Sequence, residues 1–342
     1  MTAKIPRLVI AGLSGDSGKT IVSLSLIAAL RKREMTVSPY KKGPDYIDSA
    51  WLGYLAERPC RNLDSFMVEN GLIMSNFAQT AIGMDMAVIE GNRGLFDGLD
   101  ESGQVSTAEL AKLLQAPLVL VVNATKTTRT LAVIIKGISD FDNDLNIVGI
   151  VINKVAGQRH ETIIRNSIEK YCSLPVVGVI PKLGKDADII PGRHLGLVTP
   201  SEFTQKDILT DRLNEIADNY LDIDKLIELA GSAPSIDFAE SKSKNIKADK
   251  LVKIGYFKDS IFTFYYPENL EALENNGAEL VPISSLDNDK LPEIDGLYIG
   301  GGFPETQAER LAQNKYLMQS VREKASEGLP IYAECGGLIY LT

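Results

Sequence analysis

Histidine occurs only twice in this sequence, as His160 and His194, and cysteine three times, as Cys60, Cys172 and Cys335. Cysteines so far apart and odd in number exclude a disulfide framework and give no zinc site of the usual spacing. Positive charge is also short: 36 lysines and arginines stand against 45 acids, a net charge of −9. The broad basic footprint of a general nucleic-acid binder is therefore missing, although a local basic pocket for an anionic substrate remains compatible with that balance. No segment approaches the 18 or so uninterrupted apolar residues of a membrane span. "RLVIAGL" is not preceded by the basic region, long apolar run and cleavage site of a secretory signal. The expectation is a soluble cytoplasmic protein with no membrane or nucleic-acid partner.

What is present is a rhythm. The chain has 342 residues, 44% of them hydrophobic, enough for about two domains with buried cores. Short apolar runs at 7–13, 36–40, 86–91, 117–124, 147–153 and 175–181 alternate with amphipathic stretches such as "KTIVSLSLIAALRKR" and "VSTAELAKLLQ". Continuous apolarity marks strands buried on both faces, and strand–helix–strand repetition implies an α/β fold with a doubly wound, mostly parallel sheet. The pattern fades into "GSAPSIDFAESKSKNIKADK", and a second α/β series follows at 252–257, 278–284, 296–301 and 329–334. The sequence thus predicts a nucleotide and substrate domain over 1–232, a linker over 233–250 and a second domain over 251–342, which is expected to be only the N-terminal part of its fold. No internal repeat is visible.

The stretch "GLSGDSGKT" (12–20) lies between a predicted strand and helix, the context of a phosphate loop. Gly12, Gly15 and Gly18 let the backbone turn its N–H groups toward an anion. Lys19 is expected at the β- and γ-phosphates and Thr20 on Mg²⁺, with the helix N-terminus adding partial positive charge. Five residues rather than four separate Gly12 from Gly18, a variant spacing. Glu90 ends an apolar run where phosphate-loop folds bring an acid toward Mg²⁺; a solvated strand terminus is the simpler alternative. Asn153 and Lys154 resemble the base-reading pair of nucleotide-binding sheets.

"KKGPDYIDSAWL" (41–52) places Asp45 and Asp48 three apart behind two lysines. Together with "RNLDSF", "IEGNRGLFDG", "GGGFPE" and "AECGGLIYL", in this order, these motifs resemble the cobyrinic acid a,c-diamide synthase family over nearly the whole chain. The nucleotide domain also resembles dethiobiotin synthetase, with the same loop spacing. The resemblance implies ATP-dependent amidation of the a and c carboxylates of a tetrapyrrole such as cobyrinic acid through an acyl phosphate, with ammonia from glutamine, by a homodimer. It implies that Asp45 joins Thr20 and Glu90 around Mg²⁺ and that Asp48 and Asp97 sit where the substrate carboxylate is activated. Lys19, Lys41 and Lys42 would offset repulsion between that carboxylate and ATP. Asp48 as a helix cap and Asp97 as a turn-former are the structural alternatives.

The sequence departs from the family where Ser49 and Leu52 replace a frequent proline and histidine, and where Asn92 and Arg93 replace small or apolar residues. Arg93 is suited to pairing with a substrate carboxylate. These departures leave nickel-sirohydrochlorin a,c-diamide synthase and cobyric acid synthase as related alternatives. A positioning ATPase would carry a lysine where Ser14 stands, and a nucleotide-binding remnant would bind ATP without amidating anything.

"LPIYAECGGLIYL" reads as strand, sharp turn and helix, with Cys335 exposed at the turn. By resemblance to class I glutamine amidotransferases, Cys335 is the glutaminase nucleophile and the glycines at 300–302 supply oxyanion N–H groups. Such a cysteine needs a base, usually histidine. The expectation is that this histidine lies beyond Thr342 and that the glutaminase half of these 342 residues is inactive.

Overall fold

The computed structural model describes residues 1–183, 190–193, 196–239 and 252–342. The chain divides into two units, Met1–Ser241 and Lys242–Thr342.

In the first unit, strands β1 (Arg7–Gly12), β2 (Val37–Lys42), β3 (Arg61–Leu63), β4 (Met86–Glu90), β5 (Leu118–Asn123), β6 (Ile147–Val155) and β7 (Val176–Pro181) form one sheet. Their order is β3-β2-β4-β1-β5-β6-β7, and every pairing is parallel. Helices α1 (Lys19–Lys32), α2 (Ile47–Ala56), α3 (Asn70–Ala81), α4 (Thr107–Leu113), α5 (Arg129–Phe141), α6 (Gln158–Cys172), α7 (Lys206–Tyr220) and α8 (Ile223–Gly231) cover its two faces. Period-two alternation within the apolar strands assigns each side chain to a face. Leu8, Ile10, Val119 and Val121 pack with α1, α2, α7 and α8. Val9, Ala11, Leu118 and Leu120 pack with α3, α4, α5 and α6. Each such Leu, Ile or Val contributes about 1.5–3 kcal/mol on burial, which is why the strands read as unbroken apolar runs.

Neither of two further pairings was predicted. The edge strand β3 is short and half polar. Thr2–Ala3 pairs antiparallel with Ile236–Asp237, and Phe238 is buried in the first core. Residues 233–239, assigned to a linker by composition, are thus in part structural members of the first unit. The remainder of that predicted linker, 240–250, lies outside the described residues.

The second unit has a parallel sheet of β8 (Val252–Phe257), β10 (Ala278–Ile283), β11 (Gly296–Ile299) and β13 (Ile331–Ala333), in the order β10-β8-β11-β13. A separate antiparallel pair joins β9 (Phe262–Phe264) to β12 (Gly301–Gly302). Helices α9 (Pro267–Asn275), α10 (Ala308–Gln313), α11 (Lys315–Ser326) and α12 (Gly336–Leu341) complete it. Its own core centres on Phe257, Phe262, Ile299, Leu317 and Val321. Among the described residues, no helix is long and apolar enough to cross a membrane.

Candidate active site

In an open parallel sheet, the loops at the carboxyl ends of the strands carry the site, at the point where the strand order reverses. Here that point is β1, flanked by β4 and β5, and the loop after it is "LSGDSG". Its curl is held internally. The Ser14 N–H donates to Ser17 Oγ at 3.0 Å, and Ser17 Oγ donates back to the Ser14 carbonyl at 2.9 Å. Packing within the protein itself requires glycine at two of the three positions. A Cβ on Gly12 would lie 2.9 Å from the Ser14 carbonyl oxygen, and one on Gly18, where φ is 96°, would lie 2.1 Å from Asn153 Nδ2. A Cβ on Gly15 would meet nothing within 4 Å of the protein's own atoms.

Asn153 has a further role. Its Nδ2 donates to the Ser17 carbonyl at 2.9 Å and its Oδ1 accepts from the Lys154 N–H. The side chain expected to read a base thus also fixes the far wall of the phosphate loop. Lys19 is buried and donates to the carbonyls of Ser14 at 3.3 Å and Arg93 at 2.7 Å. Burial pushes its ammonium below the ordinary lysine value, with Glu90 opposing that shift.

Beside the loop lies a charged cage. Lys41 ends β2 next to Glu90 at the end of β4, because the strand register pairs these two residues. The Lys41 ammonium lies 2.7 Å from Glu90 Oε1, 2.7 Å from Asp48 Oδ2 and 3.5 Å from Asp45 Oδ2. Burial opposes charge on Lys41, yet Glu90, Asp48 and Asp45 together hold its ammonium above the ordinary lysine range. Burial pushes the carboxyls of Glu90 and Asp45 up. It acts on Asp48 too, but there Lys41 outweighs it and holds the group below its ordinary value.

The helix cap falls to a different residue from the one considered in the sequence. Asp45 Oδ1 accepts from the N–H groups of Ile47 and Asp48, starting α2, so Asp48 is left to pair with Lys41. Asn62 braces the same loop by donating to the carbonyls of Gly43 and Asp45. That role was unread, although Asn62 stands inside the quoted "RNLDSF" motif. Asp97 is exposed and accepts from the Gly94 N–H at 2.9 Å. Its carboxylate therefore shapes a turn, and that turn abuts the phosphate loop, since a Cβ on Gly94 would lie 3.0 Å from the Leu13 carbonyl oxygen.

The cage can accept a divalent cation. Three carboxylates face one ammonium, and Glu90 Oε2 is buried without a hydrogen-bond partner. Thr20 Oγ1 donates to Glu90 Oε1 at 2.9 Å, which puts a hydroxyl in the same donor set. Among the described residues there is no ready-made cluster of three or more histidine, cysteine or acidic ligands. Mg²⁺ in a nucleotide site takes only one or two protein ligands and completes its shell with phosphates and water.

In the second unit, Cys335 follows β13 with φ 50° and ψ −117° and begins α12. A non-glycine residue at such a φ is uncommon, and here the turn leaves the thiol exposed. The glycines around it allow close backbone packing: a Cβ on Gly337 would lie 2.3 Å from the Ile299 carbonyl oxygen. One predicted oxyanion donor is already engaged, because the Gly300 N–H donates to Tyr265 Oη at 2.9 Å. Lys242–Thr342 contains no histidine. His160 belongs to the first unit, where Nδ1 accepts from the Ala156 N–H and Nε2 contacts the Thr127 carbonyl. His194 lies outside the described residues.

A phosphate-loop α/β unit with a buried acid–lysine cage, joined in one chain to a unit with a cysteine elbow, defines the class of ATP-dependent glutamine amidotransferase ligases. Residues 8–191 match the CobQ/CobB/MinD/ParA nucleotide binding domain, and residues 253–342 match the CobB/CobQ-like glutamine amidotransferase domain. The cobyrinate a,c-diamide synthase of Magnetococcus marinus is 44% identical over 348 residues, covering 100% of this chain and 74% of that protein. The synthase of the same name from Archaeoglobus fulgidus is 44% identical, covering 98% of this chain and 73% of that protein. That of Caldanaerobacter subterraneus is 41% identical with the same two coverages, 98% and 73%. The chain belongs to the cobyrinate a,c-diamide synthase family. Among solved structures, chloroplast FtsY from Physcomitrella patens aligns with a TM-score of 0.38 at 15% identity, over 62% of this chain and 66% of that one, a likeness too loose to argue from.

Proposed function

We propose that this protein amidates the a and c acetate carboxylates of cobyrinic acid at the expense of ATP, with nitrogen from glutamine or free ammonia. The observation that carries this reading is the buried cage of Lys41, Asp45, Asp48 and Glu90 set beside a phosphate loop. A carboxylate resists amines because its leaving group would be an oxide. In the proposed path, a substrate carboxylate oxygen attacks the γ-phosphorus, the bond to the β-phosphate oxygen breaks, and ADP leaves. Ammonia then attacks the acyl carbon, loses a proton and expels inorganic phosphate.

The loop N–H groups and Lys19 hold the β- and γ-phosphates. Thr20, Glu90 and Asp45 would hold Mg²⁺, which when bound offsets the charge of the triphosphate. Lys41 keeps the three acids in place, and Asp48 and Asp97 are assigned to the approach of the reacting carboxylate and ammonia. Positioning and charge neutralisation are the main demands of phosphoryl transfer, and this set of groups meets both.

The test is tetrapyrrole-dependent ADP release with ammonium as donor, using cobyrinic acid beside a sirohydrochlorin. Lys19→Ala should lower it by at least about 100-fold, or some 2.7 kcal/mol in the barrier. Turnover unchanged by Lys19→Ala would remove the phosphate loop from the reaction. Preference for the sirohydrochlorin would replace the substrate and keep the chemistry.

A further inference from the structure

Arg93 is placed by an unusual backbone. It has φ 49°, in the left-handed region that asparagine or glycine occupies more readily. The loop around it is fixed at several points. Its carbonyl accepts from Lys19 Nζ at 2.7 Å, and its N–H donates to Asn92 Oδ1 at 2.9 Å. The Asn92 N–H and carbonyl both bond Thr107 Oγ1, at 3.1 Å each. Asn92 also adjoins the other side of the site, since a Cβ on Gly43 would lie 3.5 Å from its Nδ2. Arg93 therefore stands where the phosphate loop and the "KKG" turn meet.

The side chain held there is exposed, and no hydrogen bond or ion pair engages its guanidinium among the described residues. The nearest acid on its loop, Asp97, accepts from the Gly94 N–H. Lys42 is close enough for the two positive charges to be felt, because burial first and Arg93 among its neighbours push the Lys42 ammonium below the ordinary value while Asp64 opposes them. Asp64 offsets the charge of Lys42, so the positive charge left to receive an anion is that of Arg93. The loop N–H groups and Lys19 are assigned to the triphosphate, which leaves Arg93 for a different anion.

We propose that Arg93 receives a non-reacting carboxylate on the periphery of the substrate and thereby selects which carboxylate reaches the cage. The inference rests on the amidation reading above. A guanidinium binds a carboxylate through two parallel N–H donors, so it fixes orientation as well as charge, which a lysine at the same position does less well.

The experiment compares the parent, Arg93→Ala and Arg93→Lys with cobyrinic acid and with a derivative whose non-reacting carboxylates are methyl esters, using ammonium as donor. Arg93→Ala should raise the KM for cobyrinic acid at least about tenfold while the KM for ATP stays within about twofold. Arg93→Lys should fall between. Esterification should raise the parent's KM at least about tenfold and leave that of Arg93→Ala nearly unmoved, the non-additivity expected of groups that touch. An Arg93→Ala KM equal to the parent's, or a parallel rise in the KM for ATP, would overturn the assignment while amidation stands. A parent that amidates no tetrapyrrole would bring down the amidation reading and this inference with it. Melting temperatures measured alongside separate a misfolded variant from an informative one, and Arg93→Lys then carries the test.

Discussion

Lys41 shows most clearly how one residue makes this site possible. Its side chain is 2% exposed and that of Glu90 0%, so neither charge has water as an alternative partner. Removing one member of a buried pair strands the other, at a cost of about 3–5 kcal/mol, whereas removing both together is far milder. Lys41→Met should therefore lower the stability of the protein by about that amount in urea unfolding. The double variant with Glu90→Gln should recover more than half of the loss. A Lys41→Met protein that unfolds at the parent's midpoint would show that the ammonium is dispensable to the cage, and with it the claim that Lys41 holds the acids in place.

Among elements, the phosphate loop and the strand ends around it separate what local sequence specifies from what register specifies. Gly18 has φ 96° and its Cβ position is filled by Asn153, whereas the Cβ position of Gly15 is open. Gly18→Ala should cost roughly 1–3 kcal/mol through strain and displacement of Asn153. Gly15→Ala should be within about 0.5 kcal/mol of the parent, as for ordinary surface changes. Equal losses in thermal unfolding would contradict this account of the loop. The central strands were legible because burial on both faces leaves unbroken apolar runs, and Lys19, Thr20 and Glu90 were legible because their places are fixed relative to those strands. Lys41 as the counter-ion of Glu90 was not, since 49 residues separate them and only the β2–β4 register brings them together. The same holds for Asn153, which reaches the Ser17 carbonyl across 136 residues. The pairing of Thr2–Ala3 with Ile236–Asp237 was invisible for a related reason: two-residue strands carry no periodicity, and here the partner stretch was polar enough to read as linker.

Over the whole molecule, the chemistry divides along the boundary between the units. Synthesis needs the first unit, ATP and any amine that is free to attack. Glutamine as donor needs, in addition, a cysteine with a base that takes its proton and returns one to the departing ammonia. Cys335 has the exposed, sharply turned backbone of a nucleophile. Cys335→Ser should therefore lower the glutamine reaction at least about 100-fold and leave the ammonium reaction within about twofold of the parent. Raising the pH should improve the ammonium reaction, because the unprotonated amine is the attacking species. Amide formation with each donor, followed by mass spectrometry of the tetrapyrrole product, measures this directly. A glutamine reaction left unchanged by Cys335→Ser would overturn the division, because nitrogen would then reach the first unit without the cysteine.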